Sequence, residues 1–166
     1  MSVAEATCWV ETPVGRVVVS ATARGVSRVS FAAGEGTGAE GEPEARAMRD
    51  RAVAELREYF EGRRRVFTVP VDQVGTAFQR AVWERLAAIP YGATATYGEI
   101  AREVGREGGA RAVGMANHAN AVAVIVPCHR VVGAGGALTG YAGGVAVKRW
   151  LLGHERGGEL WKGVGA

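Results

Sequence analysis

Cys128 has the surroundings of a reactive thiol. It follows a fully apolar run at residues 122–126 and then Pro127, and His129 and Arg130 come next. Proline removes a backbone donor and restricts the residue before it, so the chain delivering the thiol is stiff. Both His129 and Arg130 are of types that lower a nearby thiol's pKa. A thiol becomes a useful nucleophile when a base and an orienting carboxylate lie close. Neighbours in an extended chain point to opposite sides, so His129 is expected to reach Cys128 through a bridging water rather than directly. Glu155, at the end of the last expected helix, could hold the imidazole in its working tautomer. The plainer alternative is an inert buried cysteine beside a surface histidine, since buried free cysteine is common.

Two other chemistries have weaker support. The soft metal ligands are Cys8, Cys128, His118, His129 and His154, and their spacing matches no Cys-x-x-Cys or His-x-x-x-His pattern. A glycine-rich stretch at residues 34–42 (GEGTGAEGE) follows an expected strand. However, Ala39 stands where the dinucleotide fingerprint prefers a third glycine, and the next helix starts only near Pro43. The stretch therefore reads as a solvent-exposed linker.

The elements that must position these residues belong to a chain of 166 residues and 17.4 kDa, room for one domain or two small ones sharing a core. Hydrophobic residues at 48% and charged residues at 22% describe a globular protein rather than a disordered tail. No apolar run approaches the ~20 residues that span a bilayer. The N-terminus lacks a basic region followed by an apolar stretch, so no secretory signal and no membrane partner are expected, and the cytoplasm is the default compartment. There the two cysteines would be free thiols. Net charge is −1 over residues 1–75 and +4 over residues 76–166. That surplus is compatible with a polyanion partner and equally with a solvated basic face.

Residues 8–12, 16–22 and 26–31 alternate or cluster β-branched and apolar side chains between Gly and Pro breaks, predicting a small antiparallel meander. Residues 43–61 carry a helical apolar stripe with Pro43 in the first turn. Residues 66–71 are a strand or extended linker, and a boundary is expected near residues 72–75. The predicted domains are thus 1–74 and 75–166. Thr76-x-x-Gln79 and Thr96-x-x-Glu99 are capping-box patterns, opening helices to about Ala88 and Val104. A third helix runs from about Ala110 to His118, after a glycine-bearing turn, in the manner of a helix-turn-helix. A final helix covers residues 145–155.

Residues 125–132 (IVPCHRVV) resemble the active-site signature of the O6-alkylguanine-DNA alkyltransferases, or methylated-DNA–protein-cysteine methyltransferases. Residues 75–83 (GTAFQRAVW), 89–101 (IPYGATATYGEIA), 111–117 (RAVGMAN), 140–144 (GYAGG) and 148–155 (KRWLLGHE) resemble the same family in order and spacing. The resemblance implies an α+β fold. A ribonuclease H-like N-terminal unit with a small antiparallel sheet and a helix would precede a winged helix-turn-helix-like domain that carries the active site.

It also implies roles. Cys128 would accept an alkyl group from O6-alkylguanine in double-stranded DNA, irreversibly and once per molecule, with no cofactor and no metal. His129, through water, would take the thiol proton, Glu155 would orient His129, and Asn120 would brace the turn. Tyr97 would help rotate the damaged nucleotide and donate a proton toward the departing guanine. Arg111 would fill the gap left in the base stack, with Ala112, Gly114, Ala116 and Arg130 also at the DNA. Tyr141, Ala142, Gly143 and Val131 would border the flipped base. A base inside a duplex must be extruded to be reached, and minor-groove binding that bends the duplex helps.

The chain departs from the family at Ala121, where proline is usual, at Ala123, and at Ala142, where some relatives have serine. Ala121 is expected to loosen the turn carrying Asn120. Activity on O4-alkylthymine is left open. The competing readings are a non-catalytic alkyl-damage recognition protein on the same scaffold, a winged-helix regulator and a cysteine hydrolase. Cys128 itself argues against the first, since such relatives replace the cysteine. The intact Pro-Cys-His-Arg run argues against the second, and the lack of a remote histidine and an oxyanion hole against the third. No obligate protein partner is evident.

Overall fold

The computed structural model describes residues 5–31 and 38–158. Gly34 and Gly36 of the glycine-rich stretch lie outside the described residues. The chain divides into two compact units, Met1–Gln73 and Val74–Ala166.

The first unit is an antiparallel sheet of β1 (Ala6–Thr12), β2 (Gly15–Thr22) and β3 (Gly25–Ser30), in that order, with helix α1 (Pro43–Phe60). Strand β2 lies in the middle, and its residues from Val17 to Thr22 are all buried, as befits a central strand with both faces covered. Ala39 is exposed, as expected of the linker, but it is not unpaired chain. Instead its N–H and C=O pair with the backbone of Thr7, at 3.1 and 2.8 Å, and so extend the edge of β1. A free strand edge leaves backbone polar groups open, and this bridge closes two of them. Val71 makes a single parallel bridge to Val26, so residues 66–71 are extended chain rather than a full strand. The approach there is close. A Cβ on Gly25 would lie 2.6 Å from the Pro70 carbonyl oxygen, so no other residue fits.

In the second unit, α2 (Ala77–Ala87) begins with a complete capping box between Thr76 and Gln79. Strand β4 (Ala95–Thr96) runs directly into α3 (Tyr97–Glu103), and Thr96 Oγ1 accepts from Glu99 N at 3.1 Å. Helix α4 (Ala110–His118) follows a turn in which Gly105 and Gly108 take positive φ. Strand β5 (Val131–Val132) pairs in parallel with β4, and α5 (Val145–His154) closes the unit. Val82, Leu86, Ile100, Val113, Val122 and Leu151 are buried in its core. Trp83 on α2 donates its indole N–H to the Ala116 carbonyl at 2.9 Å, fixing α2 against α4. The fold is α+β, as the sequence predicts. No described helix is long and apolar enough to cross a membrane.

Candidate active site

The chain before Cys128 is folded back in tight turns rather than extended. Ile125 N donates to Ala123 O at 2.7 Å around Val124, whose φ is 69°, and Cys128 N donates to Val126 O at 2.8 Å around Pro127. Each is a three-residue γ-turn, and the one with positive φ is the strained form. Asn120 holds this arrangement from within. Its Oδ1 accepts from Val122 N at 3.1 Å and its Nδ2 donates to Val126 O at 2.9 Å. Ala121 therefore sits at the start of a turn that Asn120 braces through Val122 and Val126. Residues Cys128–Arg130 form a 3-10 turn, which corrects the expectation of extended chain at this point.

The residue Cys128 is buried. Burial pushes its thiol pKa up, while hydrogen bonds from Asn120 and Tyr141 and the charge on Lys148 pull it part of the way down. A thiol held in this way rests protonated and needs a base.

His129 is also buried, and its Nε2 lies 2.7 Å from Glu155 Oε2. Burial alone would raise the Glu155 pKa, but its bonds to His129 and Arg130 outweigh that and hold the carboxyl far below the usual range. The carboxylate only accepts, so Nε2 carries the hydrogen and Nδ1 is the free acceptor. Burial lowers the His129 pKa, against the pull of Glu155, which keeps the ring neutral. Nδ1 is buried with no hydrogen-bond partner among the described residues. That nitrogen is the ring's available acceptor.

Arg130 was expected at the DNA and is turned inward instead. Its Nε and Nη2 donate to the two Glu155 oxygens at 2.8 and 3.1 Å, and Nη1 donates to the Ile89 carbonyl at 2.8 Å. Each of its three guanidinium nitrogens is bonded inward and the residue is only 6% exposed, so it does not present itself to a phosphate. Burying a charged group demands such partners.

An open cavity of about 760 Å³ is lined in part by Tyr141, which bonds to the Cys128 sulfur, while Cys128 itself is outside the lining. Tyr97 on α3, Arg111, Gly114, Met115 and His118 on α4, and Thr139 and Tyr141 from the loop before α5 line it. Arg111 and Met115 are exposed, with Met115 at 71%, and Ala112 and Gly114 are half-buried. Ala116 was expected on the same face, but the helix turns it into the core, where it is 3% exposed. Val131 was expected beside the flipped base, yet it is wholly buried in the β4–β5 pair and outside the cavity lining. Ala142 is exposed and Gly143 half-buried, just past Tyr141 and also outside the lining.

Three polar residues at this site escaped the sequence reading. Lys148 is fully buried in α5, its amine 5.9 Å from the Tyr97 ring centroid and without a hydrogen-bond partner among the described residues. Burial lowers its pKa from 10.5 to about 8. Its signal was a lysine at helical spacing with Leu151, Leu152 and Glu155, on the apolar stripe. Thr139 Oγ1 lies 2.8 Å from the Tyr97 hydroxyl. Asn117, buried on α4, donates to the Cys128 carbonyl at 3.3 Å. Nothing in spacing alone marked the last two. Cys8 belongs to the first unit, His118 is exposed on the cavity wall, and no three metal-ligating side chains converge among the described residues.

Comparison with known proteins places this geometry. Residues 77–157 match the DNA binding domain of 6-O-methylguanine DNA methyltransferase, and residues 8–73 match its ribonuclease-like domain. A methylated-DNA–protein-cysteine methyltransferase of Methanosarcina acetivorans is 43% identical over 148 residues, which is 86% of this chain and 92% of the relative. One from Mycobacterium tuberculosis is 55% identical over 105 residues, 63% of this chain and just 64% of that relative's length. A crystal structure of Mycobacterium tuberculosis OGT in complex with DNA superposes with a TM-score of 0.80 at 41% identity, covering 92% of this chain and 93% of that one.

Proposed function

The chain belongs to the 6-O-methylguanine DNA methyltransferase family, and on that premise we propose that it repairs O6-alkylguanine in duplex DNA by moving the alkyl group to its own Cys128. The observation that carries this reading is a carboxylate-held His129, its Nδ1 without a hydrogen-bond partner among the described residues, next in chain to a buried thiol that bonds to Tyr141 of the cavity wall.

The steps follow from the groups present. Helix α4 enters the minor groove with Arg111 and Met115 outward, and Arg111 takes the place of the extruded nucleotide. Extrusion costs a few kcal/mol, and the inserted side chain offsets part of it. The guanine occupies the cavity under Tyr141. The Cys128 proton passes through a water to His129 Nδ1, and the resulting imidazolium is stabilised by Glu155. Sulfur then attacks the alkyl carbon in line. The S–C bond forms, the C–O6 bond breaks, and the electron pair leaves with guanine, which Tyr97 protonates. The positive charge on Lys148 steadies the thiolate before attack. The product is a thioether with no easy return to thiol, so each molecule acts once, without metal or cofactor. Free thiols persist in a reducing compartment, so the cytoplasm suits this chemistry.

The test is intact-protein mass after mixing with duplex DNA that carries one O6-methylguanine. One added methylene on the Cys128 peptide, stoichiometric with lesion, is expected. Unchanged mass with lesion-selective binding would point to recognition without repair, and binding blind to the lesion would point to a regulator.

A further inference from the structure

We propose that Thr139 is a positioning residue for alkyl transfer, its hydroxyl setting the direction in which the Tyr97 O–H points. The proposal rests on the alkyl-transfer reading above and extends it to a side chain outside the Cys128 motif.

The Tyr97 ring is well located. It begins α3 behind the Thr96 cap. A Cβ on Gly114 of α4 would rest 3.9 Å from it, and the Lys148 amine lies 5.9 Å from its centroid. The helix start and the Lys148 amine place the ring, Gly114 leaves room for it, and the phenolic hydrogen remains free to rotate. What fixes that hydrogen is the hydroxyl of Thr139, 2.8 Å away across the same cavity wall. Burial raises the phenol pKa, so the proton is present to be directed.

A pair of hydroxyls can be arranged in two ways, since each both donates and accepts. If Tyr97 donates to Thr139, its proton is spent on the wall. If Thr139 donates to Tyr97, the phenolic hydrogen faces the cavity. A base that gathers negative charge as it departs favours the second, because a donor already aimed at that charge needs no reorientation. Threonine suits the task because its β-branch limits χ1 and so holds Oγ1 in place. Thr139 also sits two residues before Tyr141, so the bond ties the loop that touches the sulfur to the helix that carries the proton donor.

The experiment compares single-turnover transfer from an O6-methylguanine duplex by the wild type, T139V, T139S, Y97F and the T139V/Y97F double variant. Thr139 is exposed on a loop, so T139V folds. T139V is expected to bind the duplex normally and to transfer about 10-fold more slowly, a part of what a positioned general acid contributes. T139S, which keeps the hydroxyl, restores most of the rate. In the Y97F background T139V costs nothing further. Wild-type transfer by T139V, failure of T139S to rescue, or an equal loss in the Y97F background would each overturn the proposal. A wild-type chain that leaves the methyl group on DNA overturns the alkyl-transfer reading itself, and that outcome is distinct from the other three.

Discussion

His129 Nε2 and Glu155 Oε2 stand 2.7 Å apart with both side chains out of solvent, and the same carboxylate receives two bonds from Arg130. One glutamate thus sets the tautomer of a base and neutralises a buried cation. Glu155→Gln disturbs both duties, and two assays read them separately. It leaves the guanidinium without a counter-charge, and the unfolding free energy is expected to fall by about 3 kcal/mol in urea titration. It also lets the imidazole lose its orientation, so the transfer rate should drop about 100-fold in single-turnover assays.

Arg130 and Arg111 are expected to fail in different assays. Arg130→Met lowers the melting temperature and leaves the salt dependence of duplex binding unchanged, because the native guanidinium faces Glu155 and Ile89. Arg111→Ala, on an exposed position of α4, leaves melting unchanged and slows repair of a paired lesion. A lesion in single-stranded DNA, where no stack must be refilled, loses less. A lower salt slope for R130M would contradict the inward placement.

Lys148 gives stability a distinctive pH dependence. Its folded pKa of about 8 lies below the ordinary 10.5, so between those values the unfolded chain binds the extra proton. Stability from this group therefore rises with pH through that window and is flat below it. The raised thiol of Cys128 acts in the opposite sense, losing stability as pH rises. The comparison of Lys148→Met with the wild type isolates the lysine. The variant is expected to melt higher at pH 7, with the gap narrowing toward pH 10, while alkyl transfer slows. A constant gap would refute the assignment.

Val124 is the one described non-glycine residue with positive φ, and it is 1% exposed. Such backbone costs about 1–2 kcal/mol for a residue with a Cβ. Both Val124→Ala and Val124→Gly lose side-chain burial, but only glycine also relieves the strain. V124G is therefore expected to be more stable than V124A by about 1 kcal/mol, the reverse of the usual order inside ordered structure. Urea unfolding of the two variants decides this.

Local chemistry in the chain was enough to place most elements. The meander, α1 behind Pro43, α2 behind the Thr76 box, and the α3–α4 pair all follow from period, caps and glycine breaks, which act within a few residues of one another. Cys128, His129 and Glu155 were legible as a candidate set because residue type carries that chemistry, and the fold brings His129 and Glu155 together. Helix facing and burial were not legible to the same degree. Whether Ala116 looked outward or inward depended on where Trp83 met the helix, and Arg130 turned inward because the folded chain brought Glu155 and the Ile89 carbonyl to it. Val131 was claimed by pairing with β4, a partner 36 residues earlier in the ladder from Ala95. Lys148, Thr139 and Asn117 acquired their places only through contacts distant in sequence. A side chain's type is written in the chain, but its desolvation and its partners are set by whatever the rest of the fold packs around it.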